Sequence, residues 1–188
     1  MSRRRSSEFR SSSVIRSWSG AVLPGRRVTL VDSDRLTRPP VITAQMLIRR
    51  PAAEVFQAFA DPAVTTRFWF TRSSGRLEPG AVVTWDWEMY GVSTVVTVKD
   101  VEENRRILAE WDPASPTQVE WRFLPGEDST TLVRITETGF AGTADQAVSK
   151  AIDSMGGFTM VLCACKALLE QGVLLNAVGD AHPAGFED

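Results

Sequence analysis

Residues 145–178 read DQAVSKAIDSMGGFTMVLCACKALLEQGVLLNAV, a run of 34 residues without proline, apolar on a broad face and broken only by Gly156-Gly157 and Gly172. Such a run predicts one long helix. Five or six short stretches of alternating aromatic and polar residues precede it. A single long helix after a meander of strands buries its apolar face most simply by lying across the sheet. If the sheet curls around the helix, the space between them becomes a pocket, and function is sought there.

The stretches before the helix carry strand periodicity. VITAQMLI (41–48) alternates from a β-branched start. AVVTWDWEM (81–89) sets Val83, Trp85, Trp87 and Met89 on one face and Thr84, Asp86 and Glu88 on the other. VSTVVTVKDV (92–101) follows Gly91, and RRILAEWD (105–112) aligns Ile107, Ala109 and Trp111. QVEWRFLP (118–125) aligns Val119, Trp121 and Phe123, and STTLVRITETGF (129–140) aligns Thr131, Val133, Ile135 and Glu137. SSGRLEPG (73–80) reads as a short strand and a turn at Pro79-Gly80. Together these describe an antiparallel meander with one dry face.

Between the first two strands lie two short helical pieces. PAAEVFQAFADP (51–62) places Val55, Phe56 and Phe59 on one helical face, with Pro51 suited to the first turn and Asp61-Pro62 as the stop. AVTTRFWF (63–70) brings Phe68, Trp69 and Phe70 together. Three consecutive aromatics cannot all face inward on one regular element, so at least one is expected to border a cavity or act as a lid.

Composition narrows the function classes. The chain has 188 residues, 43% hydrophobic and 23% charged, ordinary for a globular domain with a real core. No apolar run reaches the length of a membrane span, so no insertion is expected. Residues 1–40 hold nine arginines against three acids, a balance of +6, whereas the other 148 residues carry −8. An acidic body offers no basic face for nucleic acid. Cys163 and Cys165, two apart on a helix, point away from each other and form no redox or zinc motif; a reducing, cytoplasmic setting is the default. The Arg/Ser-rich segment 1–40 lacks a packable period and reads as a disordered extension, a transit peptide or an upstream-called start.

The order of these elements resembles a known family. RRPAAEVFQAFADP (49–62), GRLEPGAVVTWDWEMYG (75–91), TETGF (136–140) and GGFTMVLCACKALLEQG (156–172) resemble the helix-grip superfamily. This is the START-like or SRPBCC group, on the branch related to the C-terminal domain of the activator of Hsp90 ATPase. The resemblance implies an α+β helix-grip fold over residues 41–178. A curved antiparallel sheet of six to seven strands would wrap a long C-terminal helix, with two short helices after the first strand. Residues 179–188 would be a flexible tail. The superfamily includes lipid carriers, polyketide cyclases and hydrolases, so the fold alone does not choose among them.

Strand parity and that fold together nominate a ligand-binding set: Trp69, Trp85, Trp87, Met89, Trp111, Trp121, Phe123, Met155, Phe158 and Leu162. Aromatics of this size can equally fill a core. Gly156-Gly157 favours the cavity, because paired glycines inside a helix imply close backbone approach, a bend, or room for a ligand. The indoles of Trp87 and Trp121 bring N–H donors that a buried site must satisfy.

Catalytic chemistry has thin support. His182, the only histidine, sits in the Gly/Pro-flanked GDAHPAG and reads as a solvated tail residue. There is no His/Cys cluster at metal-ligand spacing, no phosphate-cradling loop and no nucleophile elbow, so no cofactor or metal is expected. Glu137 is the candidate acid–base group, on the cavity face at its lip, against the alternatives of a solvated strand end or a partner for Arg67 or Arg72. Asp86 and Glu88 fall on the wet face. The expected function is binding or transport of a hydrophobic small molecule, without catalysis. The alternatives are a cyclase- or hydrolase-like enzyme and a co-chaperone of an Hsp90-type ATPase, with a homodimer left open.

Overall fold

The computed structural model describes residues 38–183. The reading of an N-terminal extension lies outside the described residues, save for residues 38–40, as do residues 184–188 of the tail read over 179–188. The chain enters the fold through strand β1 (Ile42–Ile48), whose Ile42, Ala44 and Ile48 are buried. Helix α1 (Ala52–Ala60) follows, with Pro51 one position earlier than expected, at the N-cap in extended conformation. It buries Val55, Phe56 and Phe59. The one-turn helix α2 (Pro62–Thr65) starts where the Asp61 side chain accepts from Ala63 N at 2.9 Å. Thr65, fully buried, satisfies its hydroxyl on the Ala58 carbonyl at 2.7 Å and so locks α2 onto α1.

The remaining strands are β2 (Arg72–Ser73), β3 (Val82–Trp87), β4 (Val92–Glu102), β5 (Arg106–Trp111), β6 (Thr117–Pro125) and β7 (Thr131–Thr138). They form one seven-stranded sheet in the order β1-β7-β6-β5-β4-β3-β2, with every pair antiparallel. The register between β4 and β5 shifts at Val98/Asp100, a bulge of the kind that bends a strand and helps the sheet curve. Helix α3 (Ala144–Gln171) lies against the sheet. Thr143 and Gln146 begin it with a reciprocal capping box, which satisfies two of the free N–H groups at the start. Near its other end, Lys166 donates to the Leu47 carbonyl at 2.8 Å and Glu170 accepts from Arg49 N at 2.7 Å, tying α3 to the end of β1. This is the helix-grip α+β architecture.

Three local expectations are corrected. The strand read over 73–80 is only Arg72–Ser73; beyond it Leu77 drops into the core and its N–H bonds the Ala60 carbonyl at 3.0 Å, so it has left the sheet ladder. The strand read over 81–89 stops at Trp87, and Glu88–Tyr90 form a 3-10 turn closed by Gly91 at φ 61°. The long helix stops at Gln171 because Gly172 adopts the left-handed conformation (φ 69°) that terminates helices. Phe68, Trp69 and Phe70 are all buried, since they lie on a turn and the alternation of a regular element does not bind them, and Trp69 is the one that borders a cavity.

Helix α3 is, by length and composition, apolar enough to cross a membrane, contrary to the reading of the sequence. Its Phe158, Val161, Leu162, Cys165 and Leu168 are buried in the domain, so it is the core helix of this fold.

Candidate functional site

A cavity of about 600 Å³ opens between the first half of α3 and strands β3 to β7. Trp87, Trp111, Trp69, Phe140, Phe158 and Val161 supply most of its apolar wall. Its inner end is an aromatic lattice. Phe158 of α3 stacks on Trp111 of β5, with ring centroids 5.6 Å apart and planes 14° from parallel. Trp69, delivered by the turn after α2, stands 4.9 Å from Trp85 and 6.2 Å from both Trp111 and Trp121.

That lattice divides the ligand-binding set nominated above. Trp69, Trp87, Trp111 and Phe158 line the cavity. Trp85, Trp121, Phe123 and Leu162 do face the interior, but each is 1% exposed and sits in close-packed core behind Trp69 and Phe158, away from the cavity wall. Met89 is carried off the inner face by the 3-10 turn and lies exposed. Met155 falls on the outer side of α3 and is also exposed. Gly157 lines the cavity whereas Gly156 does not, and a Cβ built on either meets nothing within 4 Å. Of the three explanations for the glycine pair, close backbone approach is therefore excluded, and at Gly157 room beside the cavity fits.

Glu137 is the polar centre of the site. It projects from β7, opposite Ile42 of β1 and Val119 of β6, and is 2% exposed. Three side chains from three other elements donate to it. The Trp111 indole N–H is shared between Glu137 Oε1 at 2.8 Å and Thr117 Oγ1 at 2.7 Å. The Thr117 hydroxyl donates to Oε1, and the Ser154 hydroxyl of α3 donates to Oε2. Glu137 is thus deeper than the lip at which its parity placed it. Among the described residues it forms no ion pair; Arg72 instead bonds Asp86 at 2.8 Å.

Asp86 lies on the opposite face of β3, as its parity required. A hydrogen bond from Ser93 and another from Arg72 hold its carboxyl below the usual carboxylate range. Trp121 Nε1 is buried without a protein hydrogen-bond partner, whereas the Trp111 indole is satisfied by Glu137 and Thr117.

The mouth of the cavity was missed in the sequence. Lys150, Asp153, Asp112 and Ser115 line it on one side. On another, the chain after α3 returns, and Val178, Ala181 and His182 line the opening. The Tyr90 hydroxyl donates to the Val178 carbonyl, and the His182 ring meets Tyr90 edge-on at 5.8 Å. His182 remains exposed, as read from the sequence, but it borders the candidate site. Among the described residues no group of His, Cys, Asp and Glu is placed to hold a metal ion.

Comparison with known proteins follows the same lines. The family model for Activator of Hsp90 ATPase homolog 1-like protein matches residues 49–170. The protein SSP2350 from Staphylococcus saprophyticus is similar in structure, with TM-score 0.63 and 30% identity over 72% of this chain and 96% of that one. The Aha1 dimer from Colwellia psychrerythraea is similar at TM-score 0.60 and 19% identity, over 71% of this chain and 98% of its own. DynU16, a protein of the dynemicin biosynthetic locus, gives TM-score 0.60 and 18% identity over 71% of this chain and 48% of its own. The last two likenesses carry the fold alone. No curated protein matches the chain.

Proposed function

Because the chain belongs to the activator of Hsp90 ATPase homologue 1-like family, and carries an aromatic cavity between sheet and helix, we propose that it binds and carries a hydrophobic small molecule. The observation that carries this reading is the cavity itself. About 600 Å³ is within the range of small-molecule sites, and the wall is mostly apolar with a few convergent polar groups. A chain that needed these aromatics only for its core would have filled the space, as it does around Trp85 and Trp121. The reading places the protein in a reducing cytoplasm, where Cys163 and Cys165 stay free thiols. Homodimerisation belongs to it as well, since Val148, Ile152 and Met155 leave apolar side chains exposed along α3.

Native mass spectrometry of protein purified from its host, followed by titration of the tryptophan emission with the molecule found, tests the proposal. One apolar molecule per chain and saturable quenching are expected. No retained molecule, together with no saturable response across a broad set of apolar ligands, would return the aromatics to plain core.

One observation favours an enzymatic second reading. Glu137 reaches the cavity wall and is held in a fixed orientation by Trp111, Thr117 and Ser154, as a general acid or base must be. Glu137→Gln separates the two readings. A carrier keeps its affinity for an apolar neutral ligand within a few fold, whereas an enzyme loses roughly 10²–10⁴ in turnover while still binding. A co-chaperone role rests on the family description alone and stands behind both.

A further inference from the structure

Buried charges in proteins are paired with an opposite charge or hydrogen-bonded on every side. Glu137 has only neutral donors, and they are unevenly shared: Oε1 receives two and Oε2 receives one, from Ser154. A carboxylate oxygen accepts about two hydrogen bonds, so Oε2 has capacity left. The rest of the lining has the same sign. Asp112, Asp153 and Glu137 stand against Lys150, with His182 at the mouth. Lys150 is occupied by the Ser115 hydroxyl at 3.1 Å and the Ala141 carbonyl at 3.4 Å. Among the described residues none of the three acids forms a salt bridge. Beside Glu137 the apolar wall is Trp111, whose indole edge already donates to the carboxylate, with Phe158 stacked on its face.

From this juxtaposition we propose that the ligand of the cavity is an amine: an aromatic or alicyclic body carrying one protonated nitrogen that donates to Glu137 Oε2. The inference rests on the reading of the cavity as a hydrophobic ligand site and names the polar end of its ligand. The apolar body displaces water from the aromatic wall. The ammonium supplies the positive charge that Glu137 lacks, and a charge-assisted bond is the stronger kind. An anionic ligand of the same body would instead bring its charge among Glu137, Asp112 and Asp153, so of the three ligand classes it should bind worst.

Three probes that share one ring system decide the matter: naphthylmethylamine, naphthylmethanol and naphthoate, titrated by calorimetry at neutral pH. Naphthylmethylamine is expected to bind roughly tenfold or more tighter than naphthylmethanol, the gain of one charge-assisted bond, and naphthoate weakest of all. In Glu137→Gln, with near-UV circular dichroism as the check of folding, the ratio of amine to alcohol affinity should fall to within a few fold. Equal binding of amine and alcohol, or tighter binding of naphthoate, overturns the amine proposal and leaves the apolar cavity standing. Failure of all three to bind saturably overturns both. A preference for the amine that survives in folded Glu137→Gln also overturns the proposal, because another group then recognises the nitrogen. If Glu137→Gln does not fold, the ratio of amine to alcohol on the native chain decides alone.

Discussion

Replacing the two glycines of α3 one at a time separates helix energetics from cavity shape. Neither has a left-handed backbone, and a Cβ at either position meets nothing within 4 Å. Alanine therefore recovers the helix propensity that glycine forgoes, about 1 kcal/mol in a helix interior. For a domain of this size that corresponds to a rise in Tm of about 2–4 °C. Gly156→Ala and Gly157→Ala should each show it in a thermal melt, to similar extents. Their effects on binding should differ, because only Gly157 lines the cavity. Gly157→Leu, in which leucine keeps most of the helix preference, should place a branched side chain beside Phe158 and weaken binding of naphthylmethanol by tenfold or more, on the order of 1.4 kcal/mol. Gly156→Leu should leave that affinity unchanged. A fall in Tm for either alanine variant would refute the argument from open space, and undiminished binding in Gly157→Leu would show that the ligand does not occupy this cavity.

Further expectations follow from the core and the periphery. Trp121→Ala should cost about 3–5 kcal/mol by denaturant titration, as for other large-to-small changes in a packed core. Trp121→Phe should cost much less, because it also removes an indole N–H that has no protein partner; equal costs would mean that this N–H is satisfied by water. Tyr90→Phe deletes the hydroxyl that holds the Val178 carbonyl, and should raise amide hydrogen exchange in residues 176–182 with little change in global Tm; unchanged exchange would show that the segment is held by other contacts. Glu120 is bonded by Arg122 and then Arg106, and Glu170 by Lys166 and then the Arg49 N–H, so both carboxyls lie below their ordinary range. A group whose folded value is depressed stabilises the fold above its unfolded value and loses that contribution as the pH falls through the folded one. Tm should thus hold from neutrality to about pH 5 and fall below about pH 4, with Glu120→Gln blunting the fall; a Tm that rises between pH 5 and 3 would contradict this. Burial pushes the Cys165 thiol well up, so iodoacetamide should label Cys165 only after denaturation, as read by peptide mass spectrometry.

The fold was legible because its signals are local. Alternation in 81–87, 105–112, 118–125 and 131–138, followed by an apolar run without proline, determines which faces turn inward, and Trp85, Trp111, Trp121, Ile135 and Glu137 all do. What parity cannot say is whether an inward residue meets a neighbour or a void. Trp121 is core and Trp111 is cavity wall although both face inward and both stand 6.2 Å from Trp69, so it is what packs around each, and not its parity, that separates them. Met89 was misplaced for a related reason, since one 3-10 turn ahead of Gly91 ends the two-residue period. The donors to Glu137 were invisible for another: Thr117, Ser154 and Trp111 stand 20, 17 and 26 residues away along the chain. No pattern in a linear sequence reports which hydroxyl will face which carboxylate across a sheet. Three independent elements nevertheless converge on one buried acid in the wall of the cavity. A carboxylate held that firmly, beside space that the same aromatics could have filled, is an arrangement that packing alone would not have required. That is why the amine test at Glu137, rather than any further reading of the fold, bears most directly on what the protein binds.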